Sequence, residues 1–298
     1  MPRILHTADW RLGRAVPASA DADLAAARAR RLEVVSQIAA VAHAEGVGLV
    51  VVAGDVFDDN QVSGRVLRAA AERLVAFAPI PVLLVAGTSD PAEPGGALSR
   101  LGAGVGPLAH VTVATTRGPV SLAGFTVLAC PITRRADPDD PTREVPVRGP
   151  DDESIRVVVA HGGALGAGGS AEVLSRVDTA ALARRGVDWV ALGDGLTHRP
   201  IDARAAWPGS PVAGADGGGE VLIVDLARGQ DPIVRAVRVD TFVPAEAPAP
   251  EPVPDGDPLG DLAVPPYLAS ALDVLKAGDA TALDAAAWLT GQLVEAAR

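Results

Sequence analysis

Five short segments hold the residues with the clearest chemical potential. They are Asp9-Trp10-Arg11, Gly54-Asp55-Val56-Phe57-Asp58, Gly87-Thr88-Ser89-Asp90, Ala160-His161-Gly162, and Gly193-Asp194 followed by His198. Each closes a strongly apolar run, and polar residues at the C-terminal ends of strands are where open α/β sheets place their sites. Carboxylates and imidazoles in such a set are the ligands that hard and borderline divalent cations prefer. Two ions about 3.5–4 Å apart can activate a water and brace a phosphoryl group during in-line attack. That chemistry needs a carboxylate shared by both ions, and Asp55, on a Gly-Asp turn after a central apolar run, has the type and location for it. Asp9 and His198 suit one ion, His161 the other. Each residue alone also has an ordinary role: an Asp after a strand often caps a helix or holds a turn, and a lone His is often a hydrogen-bonded core residue. His6, His43 and His110 are assigned to structure on that ground, and Asp58 to support of the turn after Asp55. The order of the five segments carries the signal.

The elements that must position these residues are legible in outline. Arg3–Ala8, Leu49–Ala53 and Pro81–Ala86 are apolar, β-branched runs typical of strands covered on both faces. Asp21–Glu45 has helical apolar spacing and a Gly46 stop, and Val62–Ala78 is the next helix. Strand alternating with helix predicts βαβ units and a parallel sheet. Val111–Ala114, Val120–Leu122 and Phe125–Ala129 are short strands expected to form a meander. Arg134–Glu153, rich in Pro, Asp and Arg, is expected to be an exposed loop. Arg156–Ala160 and Trp189–Leu192 are again buried strands, separated by a helix around Asp178–Arg185. Glu220–Leu226 and Ile233–Val239 form a closing antiparallel pair. Three parts are expected: a main domain over 1–243, a Pro-rich acidic linker over 244–262 and a small helical tail over 263–298.

The chain has 298 residues, 48% of them hydrophobic but only 3% aromatic, so its core must be built from Val, Leu, Ala and Ile. Its formal net charge of −11 argues against indiscriminate nucleic-acid binding, which rewards clustered positive charge. Arg28, Arg30 and Arg31, the pair Arg134 and Arg135, and the pair Arg184 and Arg185 form small basic clusters, ordinarily solvated surface. Cys130 is the single cysteine, which fits a reducing compartment. The first strand begins at once and no apolar run approaches the roughly 20 residues that span a bilayer. A cytoplasmic protein without a membrane partner is expected.

Ile4-Leu5-His6-Thr7-Ala8-Asp9-Trp10-Arg11-Leu12-Gly13-Arg14 resembles the opening motif of the calcineurin-like metallophosphoesterases, and more narrowly of the SbcD-type nuclease subunits of DNA double-strand-break repair. Ala53-Gly54-Asp55-Val56-Phe57-Asp58 is similar to their second motif. Pro81–Asp90 lies where the family has a strand ending in Gly-Asn-His-Asp/Glu, and Val158–Gly162 resembles its strand ending in a ligand histidine. Trp189–Pro200 resembles its Ala-Leu-Gly-His-x-His-Arg-Pro segment, and Trp207–Pro211 its Pro-Gly-Ser element. The resemblance runs collinearly over residues 3–243. It implies a four-layer α/β/β/α sandwich with mixed sheets, an α/β fold, and Mn²⁺ or Mg²⁺ as cofactor. It also implies a large coiled-coil ATPase subunit docked by the helical tail, DNA ends and a second copy of the chain as partners.

The departures from the pattern carry the functional expectation. Asp9, Asp55 and His161 stand where the family has ligands, and His198 stands for the last histidine at a spacing two residues longer. Arg11 replaces the histidine of the first motif, Thr88 the asparagine ligand, Ser89 the histidine that assists the leaving group, and Asp194 the first histidine of the last motif. Asp194 can still bind Mn²⁺ or Mg²⁺. Thr88 offers a weak hydroxyl ligand, and a guanidinium cannot ligate at all. Arg11 among Asp9, Asp55 and Asp194 would make charge-assisted hydrogen bonds and stand in for one ion, leaving one bound ion or none. The metal set is thus Asp9, Asp55, His161, Asp194 and His198, and the reacting set Asp55, Ser89, Asp90 and Arg11. A serine at 89 cannot act as a general acid near neutral pH, so about 10²–10⁴-fold in rate should be lost. Two functions follow: a protein of reduced or lost activity serving as scaffold or DNA-end binder, or an active Mn²⁺/Mg²⁺-dependent phosphodiesterase or exonuclease with a modified site. A small-molecule phosphoesterase is a third.

Overall fold

The computed structural model describes residues 1–14, 21–104, 108–166, 175–195, 197–214 and 218–240. They fall in one unit of the chain, Met1–Pro17 with Asp21–Phe242. The linker expected over 244–262 and the tail over 263–298 lie outside the described residues.

Among the described residues, twelve strands form two six-stranded mixed sheets. In the first, β1 (Arg3–Thr7), β2 (Leu49–Ala53), β3 (Val82–Val85) and β4 (Val111–Ala114) run parallel in that order, and β11 (Glu220–Asp225) and β12 (Ile233–Arg238) close it antiparallel beside β1. The second has the order β5 (Gly118–Leu122), β6 (Phe125–Cys130), β7 (Ile155–His161), β8 (Trp189–Gly193), β10 (Ala205–Trp207), β9 (Arg199–Asp202), with β6, β7, β8 and β10 parallel.

Strand periodicity builds the layers, because alternate side chains leave a strand on opposite faces. Leu49, Val51 and Ala53 of β2 join Ile4, Val127, Val157, Val159, Trp189 and Ala191 in an apolar layer between the sheets. Val50 and Val52 point the other way, against Val35 and Ile38 of α1 (Asp21–Ala44) and Ala70 and Leu74 of α2 (Gly64–Leu74), with α3 (Ala97–Gly104) alongside. On the outer face of the second sheet, Val158, Ala160, Val190 and Leu192 pack on Leu182 of α4 (Thr179–Arg184). Helices, sheet, sheet and helix are the expected four layers.

Several local expectations are corrected. The helix expected over Val62–Ala78 is shorter: Ser63 caps α2, its Oγ accepting from Val66 N at 3.4 Å, and a single 3₁₀ turn over Val75–Phe77 follows. The expected meander does not form. β4 pairs with β3 while β5 and β6 open the second sheet, so the chain crosses between sheets after Ala114. The Arg134–Glu153 segment has no regular structure, yet Asp137, Thr142 and Val145 are buried in it. Arg185 secures it by donating to the carbonyls of Thr142, Arg143 and Val145. No helix of the described residues is long and apolar enough to cross a membrane.

Candidate metal centre

The C-terminal ends of β1, β2 and β3 lie beside those of β7 and β8, and this brings all five segments to one place. Asp9, Asp55 and His161 are buried, each offering a ligand atom within 4.8 Å of the others. Asp194 joins at the rim, its Oδ1 3.8 Å from His161 Nε2. Thr88 Oγ1 is 3.3 Å from the same nitrogen. Arg11 Nη2 lies 3.2 Å from Asp9 Oδ1 and 3.5 Å from Asp55 Oδ2, so the guanidinium turns inward onto both carboxylates.

The backbone is bent to achieve this. Asp9, Arg11, Asp55 and Asp194 have φ of 55°, 47°, 52° and 88°. Side-chain-bearing residues rarely adopt such left-handed conformations, which cost about 1–2 kcal/mol each. Cross-loop hydrogen bonds over-determine them: Asp9 N to Gly54 O at 3.1 Å, Arg11 N to Asp55 O at 2.9 Å and Leu12 N to Val56 O at 2.9 Å. Strain held in this way marks functional loops. Two glycines permit the close approach. A Cβ on Gly87 would strike Asp55, and one on Gly193 would strike the Ala53 carbonyl oxygen with His161 Nδ1 only 2.5 Å away.

Hydrogen bonds assign each group its state. His161 Nδ1 lies 2.9 Å from Ala53 O, and a carbonyl can only accept, so the proton sits on Nδ1. Nε2 is thereby turned toward Asp55 and Asp194, the arrangement in which an imidazole offers its lone pair to a metal. Burial alone would lower its pKa, yet the carboxylates of Asp55, Asp9 and Asp194 lift it to about 9. In the absence of an ion, His161 therefore carries a second proton and serves as the counter-charge. Burial also works to raise the Asp55 carboxyl, but His161, two hydrogen bonds from Ser89 and Arg11 hold it below the ordinary carboxylate value. Those bonds come from Ser89 N to Oδ1 at 2.9 Å and Ser89 Oγ to Oδ2 at 2.7 Å. Asp9 is pushed up to about 6 by burial and by Asp55, with His161 and Arg11 opposing. The donor set, two carboxylates and one correctly tautomeric imidazole with Asp194 at hand, fits a divalent cation such as Mn²⁺ or Mg²⁺.

The remaining expected residues fall elsewhere. Asp90, expected among the reacting groups, is fully buried and accepts from Phe57 N at 2.9 Å and Gly87 N at 2.8 Å. It braces the turn after Asp55 together with Asp58, whose amide donates to Leu12 O at 3.2 Å. His198 is not in the group that could hold an ion. Its Nε2 is buried without a hydrogen-bond partner among the described residues. His6 lies between the sheets, Nε2 3.2 Å from Leu192 O, and burial lowers its pKa to about 3. Two contributors lie within the quoted motifs without being expected to act at the site: the Ala53 carbonyl that orients His161, and Ser210, whose Oγ donates to Asp9 O at 3.0 Å. Ser210 sits in the Pro-Gly-Ser element, the one trace of its role in the sequence.

Comparison with known families agrees with this geometry. The family described as calcineurin-like phosphoesterase matches residues 2–214. Among solved structures, TT1561 of Thermus thermophilus is similar, with 17% identity over 80% of this chain and 99% of that chain and a TM-score of 0.48. No curated protein matches. The family match spans well over half of the chain, and the protein belongs to the calcineurin-like phosphoesterase family.

Proposed function

We propose that this protein is a metal-dependent phosphodiesterase of the SbcD-like kind, attenuated in rate, which works with one divalent ion and uses the guanidinium of Arg11 in place of a second. The observation that carries this reading is the inward position of Arg11, 3.2 Å from Asp9 and 3.5 Å from Asp55. A positive charge already contacts both carboxylates that a second ion would need, and a guanidinium cannot leave its chain. Asp9, Asp55 and His161 Nε2 would hold the single ion, with Asp194 as an additional oxygen donor. An ion so held would polarise a phosphoryl oxygen and make a water more acidic. Arg11 neutralises the two acids in the absence of further metal and offers N–H donors to a phosphoryl oxygen. Ser89 is committed to Asp55 and has no proton to give a leaving group near neutral pH, so the rate falls by about 10²–10⁴-fold against an enzyme with a histidine there.

Mn²⁺ titration by calorimetry, with bis(p-nitrophenyl) phosphate and a linear DNA duplex as substrates, tests this. One ion per chain, with slow hydrolysis lost in Asp55→Ala, supports it, and two ions per chain or none overturns it. The commitment of the Ser89 hydroxyl to Asp55 also favours a second reading, a scaffold or DNA-end-binding subunit. One Mn²⁺ per chain with no hydrolysis of either substrate would select that reading.

A further inference from the structure

Arg135 belongs to one of the basic pairs that composition alone assigns to solvated surface, and it stands at the edge of the metal centre. The segment after β6 is fastened to the segment after β3 by Ile132 N to Ala86 O at 3.1 Å and Ala92 N to Ile132 O at 2.8 Å. From there Arg135 Nη2 donates to Ser89 O at 3.2 Å and to Asp59 Oδ2 at 3.1 Å. Ser89 is the residue whose amide and hydroxyl hold Asp55. One residue therefore separates this guanidinium from the ion ligands. Its side chain is 60% exposed, and its Nε and Nη1 make no hydrogen bond among the described residues.

The electrostatics of the centre give that position a use. Asp9, Asp55 and Asp194 bring three negative charges, and Arg11 with one divalent ion brings three positive ones. The loaded centre is thus neutral and has no surplus attraction for a phosphate carrying further negative charge, in a chain whose formal net charge is −11. Attraction must come from the rim. A guanidinium presents a planar fork matched to phosphate oxygens, and the competing Arg135–Asp59 pair is weak because both partners are largely exposed.

We propose that Arg135 receives a second phosphate of the substrate, next to the one at the metal centre, and so selects ligands with two phosphates over those with one. This rests on the one-ion reading above. The shared chemistry is a second phosphate, attached directly to the first or one nucleoside away.

Calorimetry on the full-length chain, with and without Mn²⁺, compares thymidine 5′-monophosphate, thymidine 5′-diphosphate and thymidine 3′,5′-bisphosphate. The wild type is expected to prefer at least one two-phosphate ligand over the monophosphate by roughly tenfold. A preference for the diphosphate alone assigns the adjoining phosphate, and one for the bisphosphate alone assigns the phosphate across a nucleoside. Arg135→Ala should bring the ratio near one, and Arg135→Lys should retain part of it, since an ammonium keeps the charge and loses the fork. Asp59→Asn, which removes the competing carboxylate, should raise the ratio, a change of sign that mere loss of structure would not produce. No preference in the wild type, or a preference indifferent to Arg135→Ala, overturns the proposal. If Mn²⁺ binds as two ions or not at all, the one-ion reading fails, while the ratio on ion-free protein still decides the role of Arg135.

Discussion

The first sheet delivers Asp9, Arg11 and Asp55 on loops that are bonded to one another, through Asp9 N to Gly54 O, Arg11 N to Asp55 O and Asp58 N to Leu12 O, with Asp90 pinning the loop after β3. The second sheet delivers His161 and Asp194, which reach across to the first through His161 Nδ1 to Ala53 O and Asp194 N to Asp9 Oδ2 at 3.1 Å. The halves also differ in charge. In the first, two acids meet a cation that cannot leave. In the second, a base sits in the field of those acids and gains or loses a proton. The first half sets the shape of the centre, and the second half responds to what binds there.

Breaking the first half should have the largest effect. Asp55 touches Arg11, Ser89 and His161, so it links both halves. Asp55→Asn should lower Mn²⁺ affinity by more than about 100-fold, beyond the 10–100-fold typical of residues that only orient a ligand. Calorimetric titration measures this directly, and an affinity within tenfold of wild type would show that the ion is held by other groups.

Breaking the seam between the halves should act on stability. In Gly193→Ala the new methyl group would strike the Ala53 carbonyl oxygen and crowd His161 Nδ1, so the bond between them must open or the strands must part. A loss of about 3 kcal/mol is expected from such overpacking, measured by urea unfolding. Gly102→Ala makes the control. Its Cβ would meet Val113 at 3.7 Å, an ordinary contact, within α3, and a small gain of about 0.5–1 kcal/mol from helix propensity should follow.

How far the sequence disclosed these halves differs with the kind of information each residue carries. Asp9, Asp55 and His161 were legible because a parallel strand must end where the next turn begins, so an apolar run followed by Asp or His fixes both the element and its end. Asp194 followed from the same rule. The rest depended on geometry that local pattern does not encode. The turn between Ala114 and Gly118 reads alike whether the chain stays in one sheet or crosses to the other. Helix α3, eight residues with Gly102 and Gly104 among them, is too short for its buried face of Ala97, Leu98 and Leu101 to repeat as a pattern. β9 and β10 are four and three residues long and owe their existence to pairing, β10 with β8 and β9 with β10. Asp90 looked like a reacting group because an acid in a family motif suggests chemistry, but its two oxygens face backbone amides. The longer spacing before His198 is visible in the sequence, and its consequence, a side chain outside the ligand group, is not.

The proton on the second half sharpens the comparison next. His161 is raised from 6.5 to about 9 in the ion-free protein, and a raised pKa means that the folded state binds the proton more tightly than the unfolded state does. The stabilisation is complete below about pH 6.5 and is lost as pH rises toward 9, on the order of 2 kcal/mol over the window. Asp90, raised to about 8 by burial and by Asp55, acts with the same sign. Ion-free protein should therefore melt at progressively lower temperature from pH 6.5 to 9. An ion requires neutral His161, so Mn²⁺ binding near pH 7.5 should release about one proton, read from calorimetry in buffers of different ionisation enthalpy. His161→Gln should abolish that release.

Asp194 gives the smallest effect and the finest division between the halves. Its carboxylate lies 3.8 Å from His161 Nε2, its side chain is about a third exposed, and its amide, not its carboxylate, makes the bond to Asp9. Asp194→Ala keeps that amide and removes one oxygen donor from a set that retains Asp9, Asp55 and His161. Mn²⁺ affinity should fall by roughly tenfold, the low end of the range for a supporting group. Asp194 also helps to raise the His161 pKa, so its removal should shift the pH dependence of ion binding toward acid, because the imidazole would shed its proton more readily. A larger loss, comparable with that of Asp55→Asn, would mean that the second sheet shares equally in shaping the centre.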